Sequence, residues 1–288
     1  MPETITATIR QRFSCRSYLT QPLEPATQAE LEAFMQALPP GPFGTSGRFA
    51  LTTVSAADRS VLRGLGTYGF VKGAPAYLIG ACRETGRSLE DFGWQMEQIL
   101  LKATALGWGT CWLGGTFTRS RFASLVGAGP DEIIPAVSPV GRAAARPRRI
   151  DSLVRRAAGS ADRMAWARLF FDGAFGVPLS PAAAGPFAEA LEMVRLGPSA
   201  SNKQPWRVIK DGDAWHFYLQ RTPGYRESRI TRLLGVADLQ RTDLGIALCH
   251  FELSARAAGL PGGWQQLPQP PPAPDALTHY LVSWAARE

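Results

Sequence analysis

The chain has 288 residues, 45% hydrophobic and 19% charged, which is a globular profile with room for one large domain or two smaller ones. No apolar run approaches the ~18 residues of a membrane span, and the opening MPETITATIRQRFS lacks the apolar stretch of a secretory signal, so a cytoplasmic protein is expected, with no membrane partner. Of the 31 basic residues behind the net charge of +7, all but Lys72, Lys102, Lys203 and Lys210 are arginine, a balance that suits either nucleic acid or a small anionic ligand whose phosphate matches the guanidinium fork.

In chain order, Arg12-Phe13-Ser14-Cys15-Arg16 comes first. Its alternation, in an extended segment, points Arg12, Ser14 and Arg16 the same way. Two guanidiniums and a hydroxyl on one side grip a phosphate or the polar edge of a ring; the plain alternative is an exposed basic arm. A helix is expected over Gln28–Leu38, a strand over Phe49–Val54, a helix over Ala57–Gly64 and a strand over Ala76–Ala81. Gly64-Leu65-Gly66-Thr67-Tyr68-Gly69 matches GxGxxG, but a helix precedes it and a strand follows. A dinucleotide fingerprint needs the opposite order, so it is not read as one. From Asp91 a buried helix runs to a stop at Gly107. Gly107-Trp108-Gly109-Thr110-Cys111-Trp112-Leu113-Gly114-Gly115 follows, with glycines that let backbone approach a ligand or simply make tight turns.

A helix over Arg119–Leu125 and a strand over Ile133–Val140 close the first half. Residues 142–163 carry seven arginines with little periodicity, a solvated connector from which one or two side chains reach a phosphate. Aromatics are not interleaved with these arginines for base stacking, so no nucleic-acid partner is expected. The second half begins with a helix over Pro186–Leu196, then Pro198-Ser199-Ala200-Ser201-Asn202-Lys203-Gln204-Pro205-Trp206. Donors and acceptors at nearly every position make this either a surface loop or half of a polar ligand site. Strands Trp206–Ile209 and Trp215–Leu219 flank a hairpin turn at Asp211-Gly212-Asp213. A short helix over Ile230–Leu234, a second buried helix from Asp243 to Gly259, a proline-rich loop and a strand over Tyr280–Trp284 complete the chain. Cys15, Cys82, Cys111 and Cys249 form no CxxC, and His216, His250 and His279 show no ligand spacing, so reduced thiols and no metal are expected.

The two halves resemble each other. A shift of 152 residues places Asp91 on Asp243, Gly93 on Gly245, Leu101 on Leu253, Ala103 on Ala255, Ala105 on Ala257, Gly107 on Gly259 and Trp112 on Trp264. This is read as an old duplication, with halves at 1–150 and 151–288. The expected fold is α+β, a sheet in each half around a central pair of long helices.

Three motifs, RxSxR, GxGTCWxGG and PSASNxQPW, together resemble the FMN-dependent nitroreductase superfamily, and their distribution is similar to a single-chain branch that mimics the usual homodimer. The resemblance implies one FMN site shared between the halves. Arg12, Ser14 and Arg16 would hold the phosphate or the ring edge, and the backbone of Gly114 and Gly115 would lie near flavin N5. Pro198, Ser199, Ser201, Asn202 and Gln204 would line the flavin from the other half. Arg146 and Arg148 would sit near the phosphate, with Arg142 and Arg149 close enough to take their place. The complementary site is eroded: LPPGPFGTSGRF stands where the Ser/Asn loop belongs, and Leu169-Phe170-Phe171-Asp172-Gly173 where RxSxR belongs. The implied activity is hydride transfer from NADH or NADPH, through FMN, to a small electron-poor acceptor such as a nitroaromatic or quinone, with no side chain named as catalytic. The alternative is a protein that binds or stores FMN without turnover. An internal pseudo-dimer is compatible with a monomer.

Overall fold

The computed structural model describes residues 4–53, 71–115, 121–145, 162–225 and 236–286. The expected helices over Ala57–Gly64 and Ile230–Leu234, the GxGxxG segment and most of the arginine connector lie outside them.

The first sheet is built from β1 (Arg48–Thr53), β2 (Ala76–Arg83), β3 (Gly109–Thr110), β4 (Leu113–Gly114), β5 (Glu132–Ile133) and β6 (Ala136–Gly141). Its order is β1-β2-β6-β3, with β4 also on β6 and β5 also on β2, all antiparallel. The single strand expected over Ile133–Val140 is two strands, which pair with opposite ends of β2. Pro135 stands at the break, where it has no N–H to give a ladder. The second sheet comprises β7 (Phe170–Asp172), β8 (Trp206–Asp211), β9 (Ala214–Gln220), β10 (Gly263–Gln265) and β11 (Thr278–Ala285), in the order β10-β11-β9-β8-β7. The β7–β8 pair is parallel and the rest antiparallel. Asp211 pairs with Ala214 across the expected hairpin, where Gly212 takes a positive φ of 55°. Among the described residues no strand passes from one sheet to the other.

Seven helices accompany the sheets: α1 (Ile5–Gln11), α2 (Pro25–Gln36), α3 (Ser88–Ala105), α4 (Arg121–Leu125), α5 (Pro181–Ala184), α6 (Ala188–Leu196) and α7 (Leu239–Ala257) among the described residues. α3 and α7 are buried almost throughout and pack on each other. Their matched glycines make the contact. A Cβ on Gly93 would stand 2.1 Å from Thr242 O, and one on Gly245 would stand 2.0 Å from Glu90 O. Backbone touches backbone there, an approach that larger residues forbid. α3 serves both cores: Leu89, Phe92 and Met96 pack beneath the first sheet, and Trp94 and Leu101 beneath the second. No helix among the described residues is long and apolar enough to cross a membrane.

Candidate functional site

The N-terminal motif follows directly on α1, whose last turn leads into Arg12 with extended backbone. Ser14 forms a parallel bridge with Thr110, and Cys15 N donates to Thr110 O at 2.8 Å. A Cβ on Gly109 would lie 2.8 Å from both Cβ and Sγ of Cys15, so this glycine is what lets the two motifs lie side by side. Gly114, in β4, faces Leu239 of α7, whose Cδ1 would be 2.5 Å from an added Cβ.

The polar loop follows α6 and is tightly constrained. Ser201, Asn202 and Gln204 hold φ values of 49°, 53° and 47°, left-handed conformations that non-glycine residues adopt at a cost of about 1–3 kcal/mol each. Hydrogen bonds fix them. Gln204 N donates to Ser199 Oγ at 2.9 Å, Ala200 N donates to Asp243, and Asn202 Nδ2 donates to Asp162 O at 2.7 Å. Met164 N donates to Gln204 Oε1 at 2.9 Å.

These segments enclose a cavity of about 420 Å³, within the range of small-molecule sites. Arg12, Ser14, Arg16 and Gly114 of the first half meet Pro198, Ser199, Ser201 and Asn202 of the second on its wall. Gly115 is not on that wall, and neither is Gln204, whose amide is spent on Met164 and Asn202 inside the loop. Arg146, Arg148 and Arg149 lie outside the described residues, and Arg142 pairs with Glu24 at the surface. Phe13 also lines the cavity although the alternation pointed it away. From the connector Arg163 reaches the wall, its Nη1 donating to Asn202 Oδ1 at 2.8 Å. Burial, with Arg12 and Arg195 adding, lowers its pKa to about 10. Thr242, Asp243 and Ile246 of α7 complete the far side.

Beneath the cavity lies a buried charged network. Glu97 of α3 is wholly enclosed and accepts from Trp112 Nε1 at 2.6 Å, while His250 Nε2 of α7 lies 2.9 Å away and Arg12 Nε 3.5 Å away. Burial pushes the Glu97 carboxyl up, but the His250 hydrogen bond, the Arg12 charge and Trp112 outweigh it and hold the carboxyl below its ordinary value. His250 Nδ1 faces Met193 O at 2.8 Å, so that nitrogen carries a proton. Glu97 therefore ties the arginine motif, the glycine loop and α7 to one point.

Arg12 Nε, Arg12 Nη1, Arg16 Nη1 and Thr242 Oγ1 are buried without a hydrogen-bond partner among the described residues. Arg12 and Arg16 nonetheless line the cavity, and two guanidiniums on one wall fit an anionic, acceptor-rich ligand.

A family model described as "Putative TM nitroreductase" matches residues 4–255, and the chain belongs to this nitroreductase family. Among solved structures it is similar to a "putative nitroreductase" from Thermotoga maritima MSB8, at 20% identity and a TM-score of 0.62, over 99% of this chain and 94% of that one. That full-length likeness gives the nitroreductase fold. Shorter likenesses include a nitroreductase with bound FMN from Bacteroides fragilis NCTC 9343, at 16% identity and a TM-score of 0.43 over 51% of this chain and 91% of that one. An FMN-dependent nitroreductase from Clostridium difficile R20291 is similar at 18% identity and a TM-score of 0.40, over 49% and 88%. No curated protein matches the chain.

Proposed function

We propose that the chain binds one FMN in the cavity between its halves and is an NAD(P)H-dependent oxidoreductase acting on small electron-poor acceptors such as nitroaromatics or quinones. When bound, FMN supplies the hydride chemistry. The chain's own residues bind and orient it. Arg12, Ser14 and Arg16 take the phosphate or the polar ring edge, with Arg163 beside them, and the Ser199–Asn202 loop offers hydroxyl, amide and backbone donors to the ring. The observation that carries this reading is that Arg12, Ser14 and Arg16 line one cavity together with Ser199, Ser201 and Asn202 of the polar loop. The test is steady-state oxidation of NADH and NADPH with menadione or a nitrofuran. Reduction and reoxidation of the bound flavin are expected, whereas a yellow protein inert to both donors would be an FMN holder.

We read the chain as an internal duplication with a single working site, split at about residue 150. In support, the matched crossing glycines stack α3 on α7, and Asp91 and Asp243 each fasten a loop of their own half. At the positions matched to the cavity wall, larger side chains stand in the first half: Arg87 for Leu239, Glu90 for Thr242 and Trp94 for Ile246. Trp94 is buried with its Nε1 donating to Glu252 Oε2 at 2.9 Å, and Glu90 is held by Arg87 and by Arg241. One FMN per chain is expected from absorbance against protein concentration; two per chain would end the single-site reading. Arg16→Ala removes a charge-assisted partner of the ligand and should weaken FMN binding about 10–100-fold in a fluorescence titration. An unchanged affinity would place the phosphate elsewhere.

A further inference from the structure

Asp91 and Asp243 hold matched positions near the starts of α3 and α7, yet their partners differ. Asp91 accepts three hydrogen bonds, from Phe43 N at 2.9 Å, Thr45 N at 2.7 Å and Thr45 Oγ1 at 2.7 Å. Asp243 has a single donor among the described residues, the Ala200 N–H, shared between its two oxygens at 3.0 and 3.1 Å. It is 4% exposed, has no ion-pair partner among the described residues and lies on the cavity wall. Its neighbour Thr242 Oγ1 is likewise buried without a partner.

A carboxylate presents about four acceptor sites and requires compensation for each charge it buries. One shared N–H does not provide it. The protonated acid fits the observed donor count: one oxygen accepts from Ala200 and the hydroxyl is left to donate into the cavity. Burial drives the Asp243 carboxyl well above its ordinary pKa, the Ala200 N–H opposes this, and the negative charge of Asp238 adds to it. The other charged or titratable groups around it are Tyr225, whose hydroxyl accepts from Leu239 N, and Arg12, Arg16 and Arg163 on the same cavity. From α3, Glu90 is paired with Arg87 and Arg241.

We propose that Asp243 is a neutral carboxyl that donates a hydrogen bond to an acceptor atom, a carbonyl oxygen or ring nitrogen, of the flavin bound in this cavity. The inference rests on the flavin reading above. It makes Asp243 a ligand-binding residue that none of the three sequence motifs contains.

Asp243→Asn is the informative variant, because a carboxamide reproduces the neutral acid, offering an oxygen to Ala200 and an NH2 group to the cavity. FMN dissociation constants of wild type and Asp243→Asn are measured by flavin fluorescence from pH 6 to pH 9. The ratio cancels the titration of the flavin, Tyr225 and the arginines. Near-equal affinity is expected at pH 6, and the wild type should lose affinity relative to the variant wherever the acid gives up its proton. A ratio near one at every pH, with Asp243→Ala binding FMN as tightly as both, makes Asp243 a loop fastener alone and overturns the proposal. So does a variant about tenfold weaker at pH 6, which marks an ionised acceptor. Should the variant not fold, calorimetry on the wild type alone decides. In buffers of different ionisation enthalpy at alkaline pH, binding should take up protons equally with FMN and with riboflavin, and no uptake overturns the proposal. Failure of wild type and variant to bind FMN or riboflavin at any pH instead defeats the flavin reading, and this inference with it.

Discussion

Glu97→Ala is expected to cost about 3–5 kcal/mol of stability, the range for removing one partner from a buried ionic network. The loss strands three groups together. Arg12, with a side chain 4% exposed, loses its counter-ion; Trp112 loses the acceptor of its indole N–H, and His250 Nε2 loses its partner at 2.9 Å. A surface ion pair such as Arg10–Glu189, with both side chains about half exposed, would cost under ~1 kcal/mol by the same operation. Burial decides the difference. Glu97→Gln keeps one carbonyl oxygen and should fall between the two. Urea unfolding checks the order, with the midpoint moving and the slope unchanged. Because the Glu97 carboxyl is held below its ordinary value, its contribution is present at neutral pH and fades as pH falls through the carboxylate range toward the lowered value. Glu97→Gln should therefore lose part of the wild type's sensitivity to acid. A Glu97→Ala protein within about 1 kcal/mol of wild type would show that the network holds nothing together.

Gly245→Ala pits two effects of known sign against each other. Replacing a helix-interior glycine by alanine favours the helix by about 1 kcal/mol. Against this, the new methyl would sit 2.0 Å from Glu90 O and 2.7 Å from Trp94 N, backbone atoms that cannot swing away as a side chain does. Overpacking of this kind costs about 1–3 kcal/mol or more, and α3 would have to shift along with both cores it serves. Net destabilisation of at least about 1 kcal/mol is expected, with weakened FMN binding, because α7 also carries Thr242, Asp243 and Ile246 on the cavity wall. Thermal unfolding of the apo protein and an FMN titration read the two effects separately. A more stable Gly245→Ala protein would contradict the close crossing.

Long, strongly patterned segments were the ones legible in the chain. Both central helices, the strands around Ala76, Trp206, Trp215 and Tyr280, and the Asp211–Asp213 hairpin all follow from apolar runs and turn residues. Helix α1 was not legible: seven residues of threonine, isoleucine, alanine, arginine and glutamine are too short a window for periodicity, and it is stabilised by packing on α3, α6 and α7. The Ile133–Val140 segment read as one strand because apolar content hides the effect of Pro135. At the site, the residues in compact motifs could be found, since each motif concentrates unusual chemistry in a few positions. Arg163 was submerged among the connector's other arginines. Asp243 looked like a helix-start residue, and the Glu97–His250 contact joins positions 153 apart with no local mark. Gln204 carries the motif's signature yet turns inward, because the loop's left-handed backbone needs its amide more than the cavity does.

Both walls of the cavity belong to one polypeptide. Where two walls come from separate molecules, dilution takes the site apart at a concentration set by their affinity. Here the walls remain at a fixed, high effective concentration, because the same covalent chain carries both. Pocket integrity then does not wait on two chains meeting, and at a fixed free-ligand concentration occupancy should not depend on how dilute the protein is.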